Sequence, residues 1–239
     1  MAKKLIDDEH TIALLHFDDP TDPARDEYIG GSSSWKIGKS RTGKASEHVK
    51  IIKGGEWGKC IHFLPNNRYQ GLDYIDSHGK LNNLYTQFTV DFWMYTCQYN
   101  SKDSNPKMMF QSPASFDIFD GNLYFTACEN IKYDSNKVLI VENYESSSYN
   151  HSWHHYAFTR NERTYNVYLD GKLIGTEVGN DDGNTVLYIN YYNYGELIID
   201  ELRISDCVRY NGDFELEESP YGSKYYKIEE VNKALYSRV

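Results

Sequence analysis

Carboxylates dominate the reactive side chains of this sequence. Asp and Glu number 35 against 25 Lys and Arg, and the net charge is −10. Two carboxylates can share acid–base hydrolysis, and in the retaining case they stand about 5–5.5 Å apart. Residues two apart on a strand share a face, whereas neighbours point to opposite faces. Asp200 and Glu201 close the run Glu196-Leu197-Ile198-Ile199-Asp200-Glu201 as neighbours, so a regular strand aims them apart. His154 and His155 cannot act as an adjacent metal pair for the same reason, and hydrogen bonding within a sheet is their expected role. No Gly-x-Ser-x-Gly elbow, His-Glu-x-x-His zinc motif or phosphate loop is present. Gly30-Gly31 runs into serines and Trp35 rather than into a helix. Cys60, Cys97, Cys128 and Cys207 include no Cys-x-x-Cys pair and read as reduced, buried thiols. Catalysis is not expected.

Binding chemistry is better represented. Tyrosine, at 22 residues, outnumbers the 10 Phe and 4 Trp together. An aromatic ring in a loop can stack on the apolar face of a sugar beside amide or carboxylate hydrogen bonders. Three segments offer this: Tyr191-Tyr192-Asn193-Tyr194, Asn66-Asn67-Arg68-Tyr69 and Gly54-Gly55-Glu56-Trp57. Their candidate glycan contacts are Trp57, Arg68, Tyr69, Tyr191, Tyr192 and Tyr194. The same rings would equally suit packing over sheet ends or an oligomer interface.

Positioning falls to short strands. Phe88-Thr89-Val90-Asp91-Phe92-Trp93-Met94-Tyr95 alternates with a period of two, with Phe88, Val90, Phe92 and Met94 on one face. Asp170-Gly171 between apolar runs is a strong hairpin signal, and Asp120-Gly121-Asn122 is another. About a dozen such strands, with turns every 8–12 residues or so, predict an all-β fold, an antiparallel two-sheet sandwich. Residues 20–46 read as loop. One short C-terminal helix is predicted in Lys227–Tyr236, where Ile228, Val231 and Leu235 share a face. Together with Tyr225 and Tyr226 they form a stripe expected to dock on the sandwich or on a partner subunit. The chain divides into an extension (1–10), a sandwich domain (11–216) and a tail (217–239). Apolar runs are as short as Ile12-Ala13-Leu14-Leu15, so no bilayer-spanning helix is expected. No Lys/Arg-rich run is present, which disfavours nucleic acid and membrane as partners. In Met1–Glu9 an acidic run follows two lysines before any apolar stretch, so no secretory signal is expected.

Four segments in order resemble the concanavalin A-like (laminin G-like) jelly-roll superfamily. They are Ala13–Asp18, Phe88–Met94, Trp153–Thr159 with Val167–Lys172, and Ile199–Ser205. The closing form, Ile199-Asp200-Glu201-Leu202-Arg203-Ile204-Ser205 followed by Arg209-Tyr210 and Phe214, is similar to domains of tailed-phage structural proteins. The resemblance implies a jelly roll and a virion component, a decoration or fibre module made in the host cytoplasm. Its implied partners are other virion proteins of capsid or tail, host-surface carbohydrate and further copies of itself. The superfamily also houses glucanases, which makes a polysaccharide-cleaving enzyme the alternative, but their Glu-x-Asp-x-x-Glu run is missing here. Many relatives carry a structural calcium, and Asp18, Asp19 and Asp200 are the donors this implies. Asp18-Asp19-Pro20 reads equally as a turn. Asp181-Asp182-Gly183-Asn184 lacks the alternating spacing of a calcium loop and reads as a solvated hairpin.

Overall fold

The computed structural model describes residues 8–18, 34–37, 49–55, 58–64, 72–75, 86–98, 107–111, 114–119, 121–127, 137–144, 147–148, 151–179, 188–192 and 196–216. They contain fifteen strands: β1 (Thr11–Leu15), β2 (Ser34–Ile37), β3 (Val49–Gly55), β4 (Gly58–Phe63), β5 (Leu72–Ile75), β6 (Gln87–Gln98), β7 (Lys107–Gln111), β8 (Ser115–Phe119), β9 (Asn122–Thr126), β10 (Val138–Val141), β11 (Trp153–Asn161), β12 (Thr164–Leu169), β13 (Lys172–Val178), β14 (Tyr188–Tyr192) and β15 (Glu196–Ser205). All their pairings are antiparallel. One sheet runs β13-β12-β11-β6-β15-β4-β3, with β1 also paired to β15, and the other runs β10-β9-β8-β7-β14-β5-β2. This is the antiparallel two-sheet sandwich that the alternation predicts, in the jelly-roll form that the resemblance implies.

The hairpins form where their turn residues allow. Leu169 pairs with Lys172 across Asp170-Gly171, whose φ angles are 48° and 75°. Both positions of this turn need positive φ, which Asp tolerates and Gly adopts freely. Gly171 has a second constraint, because a Cβ there would collide with the carbonyl oxygen of Phe214.

The core lies between the sheets. Phe88, Val90, Phe92 and Met94 of β6 point into it, as do Tyr156 and Phe158 of β11. Phe116 and Phe125 meet them from the other sheet. Ring centroids lie 5.8 Å apart for Phe92–Phe116 and 5.4 Å for Phe125–Phe158. Each fully buried ring of this kind contributes roughly 1.5–3 kcal/mol by leaving water.

The structure departs from the sequence reading in four places. Residues 34–37, read as loop, form β2 at a sheet edge, and Lys107–Gln111 forms β7. β2 is an edge strand paired on one side only, whereas β7 lies between β8 and β14. Tyr191 and Tyr192, read as loop, complete β14, whose ladder with β7 extends to Tyr192↔Met108. The outer face of β6 is also buried, with Thr89, Asp91, Trp93 and Tyr95 each at most 6% exposed. The chain after β15 returns across part of this face, through Tyr210 and Phe214. The predicted helix and its stripe of Tyr225, Tyr226, Ile228, Val231 and Leu235 lie outside the described residues.

Candidate functional site: a charged lock and a bulged last strand

The outward residue Asp91 sits at the middle of β6 and is fully buried. A lone carboxylate there would be costly, so it must be paired. Arg203 of β15 supplies a two-pronged partner, with Nε donating to Oδ1 at 3.1 Å and Nη2 to Oδ2 at 2.7 Å. The Tyr210 hydroxyl donates to Oδ2 at 2.9 Å. Burial alone would raise the Asp91 pKa. The Arg203 charge, the nearby His155 imidazole and the Arg203 hydrogen bonds outweigh it and hold the carboxyl well below the usual carboxylate range. Burial and the adjacent Asp91 charge push the Tyr210 phenol well above its ordinary value.

Tyr210 extends this lock to the segment that follows β15. Its ring stacks on Phe214 with centroids 3.7 Å apart and planes 8° from parallel. The Tyr168 hydroxyl donates to the Tyr210 carbonyl at 2.9 Å, and Phe214 N donates to the Gly171 carbonyl at 2.8 Å. His155 lies beneath, 5.9 Å from the Phe214 ring and 3.8 Å from Asp91. The closing residues Arg203, Tyr210 and Phe214 therefore have a mechanical role, tying the return segment to β6, β11 and β12. Sequence supplied these residues as a family marker but gave no hint of Asp91 as their partner.

The second feature is the bulge in β15 between Asp200 and Arg203. Glu201 adopts φ 50° there, and its N–H donates to Asp200 Oδ1 at 2.9 Å. A bulge breaks strict alternation and re-aims a side chain. Glu201 thereby reaches His16 just after β1, Oε1 to Nδ1 at 2.7 Å, and both groups are buried. Glu196 meets His62 of β4 at 2.7 Å in the same manner. At the sandwich edge, Glu177 of β13 accepts from Ala127 N at 2.8 Å, and burial raises its carboxyl to about 7. Asp170 holds His154 at 2.6 Å. His154 is thus hydrogen-bonded as expected, and His155 faces the opposite way.

Of the donors considered for calcium, Asp18 and Asp200 lie among the described residues. Asp18 Oδ1 accepts from Lys59 N at 2.8 Å, and its carbonyl accepts from the Lys59 ammonium at 3.2 Å. A cation already stands beside Asp18, and Asp200 is spent in part on the bulge. Among the described residues neither belongs to a group of three mutually close His, Cys, Asp or Glu side chains. Asp19 lies outside the described residues, as do Trp57, Arg68, Tyr69 and Tyr194. Cys60 is buried as expected, with its Sγ 3.8 Å from the Ile52 carbonyl, while Cys207 is only partly buried.

Two stacked antiparallel sheets with a bulged closing strand and an aromatic core define a lectin- or glucanase-type sandwich. A family model described as the concanavalin A-like lectin/glucanases superfamily matches residues 70–210, and the chain belongs to that superfamily. A search of curated proteins finds no match. Among solved structures, the binding domain of paraclostridial mosquitocidal protein 1 is similar at 14% identity, with a TM-score of 0.59, over 84% of this chain and 50% of that one. The binding domain of botulinum neurotoxin serotype D is similar at 12% identity, with a TM-score of 0.60, over 83% and 48%. The receptor-binding domain of botulinum neurotoxin type G is similar at 17% identity, with a TM-score of 0.57, over the same shares. The chain thus spans about half the length of these domains, and the likeness is one of fold.

Proposed function

We propose that this chain is a non-catalytic attachment module of a virion, a decoration or fibre domain that binds host-surface glycans or other virion proteins. The supporting observation is the state of its buried carboxylates. Asp91 and Glu201 are each closed against a cationic or imidazole partner of the same chain, and the partly buried Glu196 is closed against His62 in the same way. Hydrolysis on this fold needs one carboxyl free to give a proton and a second close by. Paired carboxylates of this kind rigidify a scaffold instead. The binding domain of botulinum neurotoxin DC has been captured with SialylT, and cell entry of type C depends on two ganglioside molecules. Both proteins are similar in fold, which favours sugar as the ligand class here. Tyr191 and Tyr192 of β14, with Trp57, Arg68, Tyr69 and Tyr194, are the proposed contacts.

A glycan array probed with the full chain and with Y191A/Y192A tests this reading. Binding that the double variant loses is the expected result. No binding to any glycan, together with stoichiometric recovery of the protein in purified particles, leaves only the structural role. Release of reducing ends from a polysaccharide panel would overturn the proposal in favour of an enzyme.

A further inference from the structure

The start of β1 and the end of β15 meet at a mixed set of metal-ligating side chains that the proposed function does not use. Among the described residues, His10, Asp206 and Cys207 are the one group of three metal-ligating side chains whose ligand atoms all lie within 4.8 Å of one another. We infer that His10, Asp206 and Cys207 form a site for a zinc-class divalent ion that clips the first strand to the last.

The donor set selects the metal class. A thiolate favours zinc over calcium or magnesium, and imidazole with carboxylate suits the same ion. Thiolate plus carboxylate neutralise a divalent charge, with the thiol proton passing to solvent on binding. Zinc takes sulfur at about 2.3 Å and nitrogen or oxygen at about 2.0–2.2 Å in a tetrahedron. Three protein ligands and one water complete such a sphere. His10 Nδ1 already lies 3.0 Å from Asp206 Oδ1, close to the separation of two tetrahedral ligands. Its other nitrogen, Nε2, lies 3.9 Å from Glu9 Oε1, where a carboxylate would orient a ligating imidazole.

The backbone beneath is anchored independently of any ion. Thr11 pairs with Ser205, and Asp206 N donates to the His10 carbonyl at 2.9 Å. The Cys207 carbonyl accepts from Thr89 Oγ1 at 2.7 Å. Arg209, the nearby cation, is committed to Asp8 through both terminal nitrogens at 2.9 and 2.6 Å. Only side-chain rotation is then needed to close on an ion, and His10 and Asp206 are exposed enough to receive it. The site is separate from the Asp18 and Asp200 positions considered for calcium.

Cobalt(II) titration of the full chain under a non-chelating reductant tests the assignment. The expected result is one bound equivalent with tetrahedral ligand-field bands and a thiolate-to-cobalt charge-transfer band, both displaced by zinc. C207S abolishes the charge-transfer band, H10A weakens binding at least about tenfold, and C60S leaves both unchanged. Near-ultraviolet circular dichroism confirms that each variant is folded. No stoichiometric cobalt spectrum, a charge-transfer band that survives C207S, or an affinity indifferent to H10A would each overturn it.

Discussion

Replacing Arg203 by Met isolates the cost of the lock. The variant keeps an unbranched chain in place and removes both hydrogen bonds to Asp91. Asp91 is then a fully buried carboxylate that retains the Tyr210 hydroxyl and the more distant His155. Breaking a buried pair from one side costs about 3–5 kcal/mol, because the remaining charge loses its counterion without regaining water. At an m-value near 3 kcal/mol per M, a loss of about 4 kcal/mol lowers the urea midpoint by roughly 1.3 M, read by tryptophan fluorescence. The sign of the pH dependence discriminates further. In the wild type the Asp91 pKa is depressed, so its contribution is complete above the ordinary value of 3.8 and is lost only in stronger acid. In R203M burial is opposed only weakly, and the folded pKa moves above 3.8. Its penalty then vanishes below that value and grows as pH rises. The gap between the proteins should therefore narrow as pH falls from 7 toward 4. An apolar triple variant, D91L/R203M/Y210F, should recover most of the loss, since no buried charge remains. A gap below about 1 kcal/mol at pH 7, or one that is constant with pH, would refute this account of the lock.

Glu177→Gln should stabilise the protein above neutral pH and change little near pH 5. Burial raises this carboxyl from 4.5 to about 7, so its folded-state penalty appears as pH rises through that interval. Melting temperatures at pH 5 and 8 check the sign. Gly171→Ala should cost more than about 1 kcal/mol through its positive φ and its collision with Phe214. Hydrogen exchange should then show lost protection concentrated in residues 206–216. His16→Ala should cost about 1–3 kcal/mol by removing a partner from buried Glu201, measured as a shift in urea midpoint.

The sheets were legible because β6, β11 and β12 obey a period of two, and the β12–β13 turn carries Asp-Gly. The bulge at Asp200–Arg203 was not, because it depends on pairing β15 with β6 on one side and β1 on the other. Strict alternation sends Glu201 away from Asp200, and the bulge supplies its actual direction, toward His16. The pairs His16–Glu201 and Arg203–Asp91 join residues 185 and 112 positions apart, separations that no local pattern encodes. The family-like closing residues Arg203, Tyr210 and Phe214 did mark the lock, but their spacing alone carried no partner. The surplus tyrosine divides in a similar way. Tyr156 and Tyr165 are core residues, as β-propensity suggests, whereas Tyr191 and Tyr192 lie in a strand that the preceding polar residues obscured.

The lock also constrains where a ligand can bind. A jelly-roll sheet normally has one face in the core and one available to solvent. On β6 both faces are closed, the inner by the opposite sheet and the outer in part by the return segment. The face carrying Asp91, His155 and Tyr168 is thus occupied by the protein's own Tyr210 and Phe214. A partner meeting this sheet there would have to displace a stacked aromatic pair and expose a buried ion pair. Under the proposed attachment role, a ligand is therefore expected at the loop rims or on the second sheet. β14, with Tyr191 and Tyr192, belongs to that second sheet, between β7 and β5. Binding that survives Y191A/Y192A yet is lost on loosening the return segment with G171A would place the ligand on the wrong face for this argument.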